Sequence, residues 1–128
     1  MRRAVVVIVA LAGLGTASMA DARATVETTA EFDSLSYENN SRIFDVDVSS
    51  EKSRCERQRV VKVFEKVNGG DNLMGRDNTG DSSSATITKR PAMKFKEGEK
   101  FYAVVKKREV GDTICKGTQS ATITITSA

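Results

Sequence analysis

Nucleophiles, bases and metal ligands are the residues that could give this chain a chemical activity, and its 128 residues include no histidine. Histidine is the commonest general base and a common metal ligand, so its absence excludes Ser-His-Asp and Cys-His nucleophilic sites. The best remaining candidate for Ser-Lys chemistry is Ser50-Glu51-Lys52-Ser53. It lacks the Ser-x-x-Lys spacing of enzymes that use that pair. We interpret it as a solvated turn and predict that the protein is not an enzyme.

Carboxylates occur in two arrangements that a metal ion or a sugar could use. Asp45 and Asp47 are two residues apart, which places both on one face of a strand. A merely exposed polar face has the same spacing, and we favour that interpretation. The segment Asp77-Asn78-Thr79-Gly80-Asp81 resembles a calcium loop, but its glycine is misplaced and Thr88 stands where a bidentate Glu is needed. It predicts an ordinary turn, and we expect no metal or other cofactor.

Cys55 and Cys115 are the two cysteines of the sequence. They have no metal-ligand spacing, and in an exported protein such a pair indicates a disulfide. The alternative is a pair of buried free thiols. A bond between the two cysteines would close a loop of about 60 residues and stabilise the fold by roughly 4 kcal/mol in the chain-entropy model.

The N-terminal segment has the three regions of a secretory signal peptide in the required order. Two arginines precede an apolar run at residues 4–14, and small residues follow, with cleavage options after Ala22 and after Ala24. A membrane anchor is the alternative, but glycines interrupt the run before the about 20 apolar residues that a span needs. We expect residues 1–24 to be removed. Residues 25–128 would then form one domain that is secreted, periplasmic or held in the cell envelope, with no membrane span after cleavage.

Short stretches of alternating apolar and polar residues run through residues 25–128. No stretch has the 3.6-residue period of an amphipathic helix. Seven or eight stretches follow one another at a spacing of about ten residues, which is typical of a two-sheet β-sandwich. We therefore predict an all-β fold, a single seven- to eight-stranded antiparallel β-sandwich preceded by the signal peptide.

Several strands carry more detailed expectations. The apolar parity of the first strand changes near Asp33-Ser34, which indicates a bulge or a bend. The strand at residues 42–49 directs its phenylalanine and valines inward and its two aspartates outward. Residues 59–67 are apolar on both faces, as in a central strand. Met93 and Phe95 begin a further strand.

A series of strand and turn motifs covers about 85 residues at the spacing of such sandwiches. Its members are Cys55, Arg59-Val60-Val61-Lys62-Val63, Gly69-Gly70, Gly75, Thr79-Gly80, Phe101-Tyr102-Ala103-Val104-Val105 and Cys115. The series resembles secreted bacterial immunoglobulin-like or transthyretin-like (carboxypeptidase regulatory-like) β-sandwich domains, and it is similar to collagen-adhesin B-type modules. The chain departs from the immunoglobulin pattern because it has no Trp and because both cysteines are expected between strands. The resemblance implies a binding, adhesive or structural module without a catalytic site.

Charge is segregated along the sequence. Residues 25–51 contain seven acidic residues and one arginine, whereas residues 52–128 contain sixteen basic and nine acidic residues. The simplest interpretation is that acidic strands pair beside basic ones and the charges neutralise each other. The alternative is a contact surface for an anionic partner, formed by Lys94, Lys96, Lys100, Lys106, Lys107 and Arg108. The first three would meet in a hairpin, and the last three would project from its opposite end beside the loop that contains Cys115.

These observations predict a secreted, non-catalytic binding or structural module of the cell envelope or extracellular space. The expected partner is a protein or an anionic envelope polymer, without specific nucleic-acid recognition. The alternative is an accessory or inhibitor-like protein that acts on an extracellular enzyme, with residues 68–81 and 108–116 as the contact loops. The sequence leaves the oligomeric state open.

Overall fold

The computed structural model describes residues 23–126. The predicted signal peptide, residues 1–24, lies outside the described residues except for its last two positions. The described residues contain no α-helix, which confirms the prediction of an all-β protein, and no helix among them could cross a membrane. The strands are β1 (Ala24–Val26), β2 (Thr28–Glu38), β3 (Ser41–Ser50), β4 (Val60–Glu65), β5 (Asn72–Asn78), β6 (Ser84–Lys89), β7 (Lys100–Val105), β8 (Arg108–Val110), β9 (Thr113–Cys115), β10 (Thr118–Gln119) and β11 (Ile123–Thr124), and a 3-10 turn spans Ser53–Cys55.

The eleven strands of residues 23–126 exceed the seven or eight that the alternation predicts. Three of them, β1, β8 and β9, have three residues each and are too short to show an alternating pattern. Strands β10 and β11 have two residues each and are separated by a segment that begins at Ser120, whose hydroxyl oxygen accepts a hydrogen bond from the Ala103 amide. The predicted strand count is therefore wrong.

The first sheet has the antiparallel strand order β2-β3-β6. Its register shifts between Phe32 and Ser34 of β2, which confirms the predicted bulge. Phe44, Val46 and Val48 of β3 are buried, as the alternation predicts. The bulge returns the later apolar residues of β2 to the buried face, because an extra residue reverses the parity of a strand.

The second sheet has the order β10-β7-β4-β5, and β11 also pairs with β7. Strand β4 lies between β5 and β7, so the prediction of a central strand is confirmed. Val61 and Val63 of β4 are completely buried, whereas Val60 and Phe64 on the other face are half-buried. The second sheet therefore has one core face and one solvent face.

One hydrophobic cluster contains buried side chains of the first and second sheets. Phe44 of β3 is completely buried, and its ring centroid lies 5.1 Å from that of Phe101 in β7 and 5.5 Å from that of Phe95. Burial of side chains of this size stabilises a fold by about 1.5–3 kcal/mol each. The two sheets thus pack against each other through this cluster.

A small third sheet has the order β1-β9-β8. Strands β1 and β9 are parallel, so the prediction of an entirely antiparallel protein is wrong at this place. The predicted disulfide joins Cys55 to Cys115, and both residues are completely buried. Cys55 lies in the 3-10 turn between strands, as expected, but Cys115 is the last residue of β9 because that strand is held between two neighbours.

The segment before β7 does not form the strand predicted at Met93 and Phe95. The side chain of Arg42 donates hydrogen bonds to the carbonyl oxygen of Met93 (2.7 Å) and to that of Lys94 (3.0 Å). These bonds satisfy the two carbonyl groups without a neighbouring strand. The predicted strand is therefore wrong, since a buried side chain satisfies the backbone in place of a neighbouring strand.

Candidate anionic-partner surface

The six predicted contact residues lie at the two ends of β7. Lys94 and Lys96 lie in the irregular segment before β7 and Lys100 begins it; these three are the first basic group. Lys106 and Lys107 follow β7 and Arg108 begins β8; these are the second basic group. A strand of this length spans about 17–20 Å. The two groups are thus separate surfaces, and the hairpin predicted for the first group is absent from the described residues.

The second basic group lies beside the disulfide, as predicted. The carbonyl oxygen of Val60 accepts a hydrogen bond of 3.1 Å from the Lys106 amide. The Arg108 guanidinium donates to the carbonyl oxygen of Arg57 at 3.2 Å, and that of Arg54 donates to the Thr113 hydroxyl at 3.5 Å. Arg54 and Arg57 therefore extend this basic surface. The charge pattern of the sequence does not place them here, because they stand some 50 residues earlier in the chain.

Acidic side chains offset only part of this charge. Glu109 lies 3.4 Å from the Lys107 ammonium group, and Glu27 lies 3.2 Å from that of Lys116. The side chains of both pairs are about half exposed. Exposed pairs of this kind contribute about 0–1 kcal/mol. The lysines of these pairs therefore remain accessible to a partner.

Arg59 fixes the backbone under the second basic group. Its side chain is completely buried and donates to the carbonyl oxygens of Cys55 (2.6 Å), Lys106 (3.2 and 2.7 Å) and Lys116 (2.9 Å) and to the Thr28 hydroxyl (3.1 Å). A guanidinium group has five N–H donors, and these contacts use all of them. Burial, and secondarily the charge of Arg108, lowers the pKa of Arg59. This one cation therefore joins four chain segments.

The first basic group borders a shallow, open hollow of about 670 Å³. Lys66, Lys96 and Lys100 line it together with Glu65, Glu97 and Glu99. Glu99 also pairs with the buried Arg42 at 3.0 Å. Since lysines and glutamates are equal in number around the hollow, it has no marked charge. The second basic group is the stronger candidate for contact with an anion.

The solvent face of the second sheet has an aromatic pair next to two cations. The rings of Phe64 and Tyr102 stack with centroids 5.4 Å apart and an angle of 19° between their planes. Lys62 of β4 lies directly opposite Arg76 of β5 in the neighbouring row. The sequence predicts apolar residues on both faces of β4, but the pairing with Arg76 depends on a register that alternation alone does not fix.

Two exposed groups of this face share a hydrogen bond. The Tyr102 hydroxyl donates to an Asp71 carboxylate oxygen. This bond lowers the pKa of Asp71 and raises the pKa of Tyr102. Asp71 therefore stays ionised at a lower pH than an ordinary aspartate.

The predicted outward face of β3 is confirmed by its polar contacts. Asp45 accepts hydrogen bonds from the hydroxyls of Ser34 (2.9 Å) and Thr86 (2.7 Å), and Asp47 accepts one from Ser84 (2.9 Å). Within residues 23–126, no group of three or more Cys, Asp or Glu side chains is arranged to hold a metal ion. The two aspartates instead belong to a polar surface of the first sheet.

The remaining chemical candidates have structural partners. The Ser50 hydroxyl accepts a hydrogen bond from the Lys52 amide at 3.3 Å, as in a turn. The side chain of Asn78 accepts one from the Gly80 amide at 2.7 Å, which is the pattern of an Asx turn. The Thr79 hydroxyl donates to the carbonyl oxygen of Glu56 at 2.8 Å. The segment from Asp77 to Asp81 is thus a turn, as its sequence predicts.

The acidic first part of the chain pairs mainly with itself. Strands β2 and β3 pair with each other, and β3 also pairs with β6, whose charged residue is Lys89. The strands of the second sheet have few charges, since β4 contains Lys62 and Glu65 and β7 contains Lys100. The expectation that acidic strands lie beside basic ones is therefore met only where β6 adjoins β3, and most of the basic residues lie in the segments between strands.

Comparison with known proteins adds no assignment to this geometry. No protein-family model matches the chain, and no curated protein matches it significantly.

Proposed function

We propose that this chain is a secreted, non-catalytic binding module that contacts an anionic polymer of the cell envelope through the second basic group. The observation that supports this proposal is the buried Arg59, which holds the carbonyl groups of Lys106 and Lys116. A surface fixed in advance loses less conformational entropy when it binds. Exposed cations attract a polyanion by long-range steering and by the release of its counterions, so no pocket is needed.

The scaffold of this module is a β-sandwich of the immunoglobulin-like kind. Strand order supports this part of the proposal, because β2, β3 and β6 share one sheet while β4, β7 and the C-terminal strands share the other. The immunoglobulin arrangement divides its A, B and E strands from its C, F and G strands in the same way. Loops at one end of such a sandwich commonly bind partners, which suits the position of the second basic group.

Retention on a column of immobilised anionic polysaccharide tests the binding. The mature chain should be retained at low salt and released as salt rises, since exposed charges are screened beyond about 8 Å at physiological ionic strength. The variant in which Lys106, Lys107 and Arg108 are changed to Gln should elute at clearly lower salt. The matched control changes Lys94, Lys96 and Lys100 to Gln, which removes the same charge from the first basic group. Equal losses in the two variants would mean that only net charge matters and would refute a specific surface.

The alternative, an accessory or inhibitor-like protein, has support from one feature. The backbone amide of Gln58 donates to the carbonyl oxygen of Gly80 at 2.8 Å, and the carbonyl oxygen of the adjacent Arg57 accepts from the Arg108 guanidinium at 3.2 Å. The turn at residues 79–81 and the β8–β9 hairpin therefore lie at the same end of the molecule. The turn at residues 68–71 lies at the opposite end of β4. A contact with an extracellular enzyme would therefore use residues 79–81 and 108–116 without residues 68–71.

A further inference from the structure

Each of the two large sheets exposes a pair of like charges directly opposite each other. On the first sheet, Glu31 of β2 faces Asp47 of β3. On the second sheet, Lys62 of β4 faces Arg76 of β5. Side chains in such positions have Cβ atoms about 4.5–5.5 Å apart, and like charges there destabilise a sheet.

The first sheet offers its acidic pair no cation. Within the described strands, the residues that share the face of Glu31 and Asp47 are Ser, Thr, Asp, one Ile and Glu38, with no Lys or Arg among them. Asp45 lies in the next row and adds a further negative charge. We call this surface the acidic face.

The second sheet places few acidic side chains near its basic pair. The row beside Lys62 and Arg76 consists of Leu73, Phe64 and Tyr102, and Leu73 is 48% exposed. Asp71 borders this row, but its carboxylate already accepts the Tyr102 hydroxyl. We call this surface the basic face. It is independent of the second basic group, which lies at the end of β7.

We infer that copies of this chain associate head to tail, with the acidic face of one copy on the basic face of the next. The two faces have like-charge pairs of the same cross-strand spacing and of opposite sign, so each relieves the repulsion in the other. Residues 23–126 contain eighteen Lys and Arg and sixteen Asp and Glu. Because the net charge is small, the copies do not repel each other as whole molecules.

A contact between two different faces leaves one acidic and one basic face free at the ends. Such a heterologous contact extends as an open chain unless its rotation closes a ring. The basic face lies on β4, β5 and β7, which have six or seven residues each, so we expect the contact to bury less than the about 800 Å² per partner of a standard interface. The association is therefore weak, and it rises with concentration.

Sedimentation of the mature wild-type chain tests the inference. The mean mass should exceed that of a monomer at high protein concentration and low salt. It should fall to the monomer mass in high salt, because the screening length shrinks from about 30 Å at 0.01 M to about 3 Å at 1 M. A wild-type chain that stays monomeric at low salt, up to its solubility limit, would overturn the inference.

Two variants, each with two charged side chains replaced by neutral ones, make the test specific for the two faces. E31Q/D47N removes the acidic pair and keeps an acceptor for the Ser84 hydroxyl, and K62Q/R76Q removes the basic pair. Each variant alone should be monomeric. An equimolar mixture should form a complex of two chains and no larger species, because each variant retains one of the two faces.

The other outcomes each decide against the inference. Association of either variant alone, to the wild-type extent, would show that the faces are not the contact. Failure of the mixture to form the two-chain complex would show that the faces bind other partners, such as a separate polycation or polyanion. K106Q/K107Q is the matched control, and it should associate as the wild type does. Near-ultraviolet circular dichroism verifies that every variant is folded.

Discussion

The guanidinium group of Arg59 donates a 2.6 Å hydrogen bond to the carbonyl oxygen of Cys55, which also forms the disulfide with Cys115. A buried cation and a covalent bond thus hold the same 3-10 turn. The guanidinium also binds the carbonyl oxygens of Lys106 and Lys116, which flank β8 and β9 in the sequence. The basic end of the molecule therefore depends on both restraints.

Arg59→Leu should lower the free energy of unfolding by about 3 kcal/mol or more. The change removes five hydrogen bonds and leaves buried carbonyl groups without donors, each of which costs about 1–3 kcal/mol. Denaturant titration measures the loss. Arg76→Leu is the matched control on the solvent face, where a substitution changes stability by about 0.5 kcal/mol or less. Similar losses in the two variants would contradict the role of Arg59.

The freshly purified protein should contain the Cys55–Cys115 disulfide. Its intact mass without reduction should be lower than its reduced mass by the two thiol hydrogens. Reduction should lower the free energy of unfolding by about 2–5 kcal/mol, the range found when a native disulfide is removed from a small secreted domain. Free thiols detected in the unreduced protein would refute this prediction.

Val61→Ala should be more damaging than Ile123→Ala. Val61 is completely buried between the sheets, and truncation at such positions costs about 2–4 kcal/mol. Ile123 lies on the short β11 and is only partly buried, so its truncation should cost less. Sequence alternation alone treats both residues as equivalent core positions. Denaturant titration of the two variants decides the order.

Asp45→Ala should change the free energy of unfolding by less than about 0.5 kcal/mol, as an exposed substitution does. The residue lies on the acidic face, and its hydrogen bonds come from the exposed hydroxyls of Ser34 and Thr86. Water can replace both donors. A loss as large as that of Val61→Ala would mean that Asp45 has a buried role or binds a ligand.

The alternation of the strands also places two arginines among the core positions. Arg42 has the same parity as Phe44, and Arg59 has the same parity as Val61, so the pattern already placed both arginines inward. Both are buried in the structure. The pattern did not reveal their partners, because most of these are backbone carbonyls and one carboxylate that lie 47 to 57 positions away in the chain.

The candidate surfaces were less predictable than the strands. The bulge at residues 32–34 and the central position of β4 follow from local parity and composition. The pairing of Glu31 with Asp47 and of Lys62 with Arg76 depends on register and on which strands share a sheet. Those are long-range properties, so a count of charges along the sequence showed the segregation without its geometry.

A chain that begins at Arg23 should be more stable than one that begins at Thr25. The Ala24 amide donates to the carbonyl oxygen of Asp112 at 2.9 Å, and loss of such a bond costs about 1 kcal/mol. The Arg23 guanidinium also contacts Glu109 at 2.7 Å and lowers the pKa of that carboxyl group. Thermal unfolding of the two purified chains measures the difference. Equal melting temperatures would show that these N-terminal contacts add nothing.

Tyr102→Phe should raise the pKa of Asp71 towards the ordinary aspartate value, because the variant lacks the hydroxyl that donates to this carboxylate. A depressed pKa in the folded state stabilises the protein above the unfolded-state pKa of about 3.9, and the benefit disappears as the pH falls through the folded-state value. The raised pKa of Tyr102 acts in the opposite direction. Its contribution is present below the unfolded-state value of about 10 and disappears as the pH rises through the folded-state value. The wild type should thus exceed the variant in stability only between these two limits.

Carboxyl NMR titration measures the pKa of Asp71. Tyr37→Phe is the control, since the Tyr37 hydroxyl donates to the carbonyl oxygen of Ala92 instead. An Asp71 pKa that is the same in wild type and Tyr102→Phe would show that the hydrogen bond does not persist in solution.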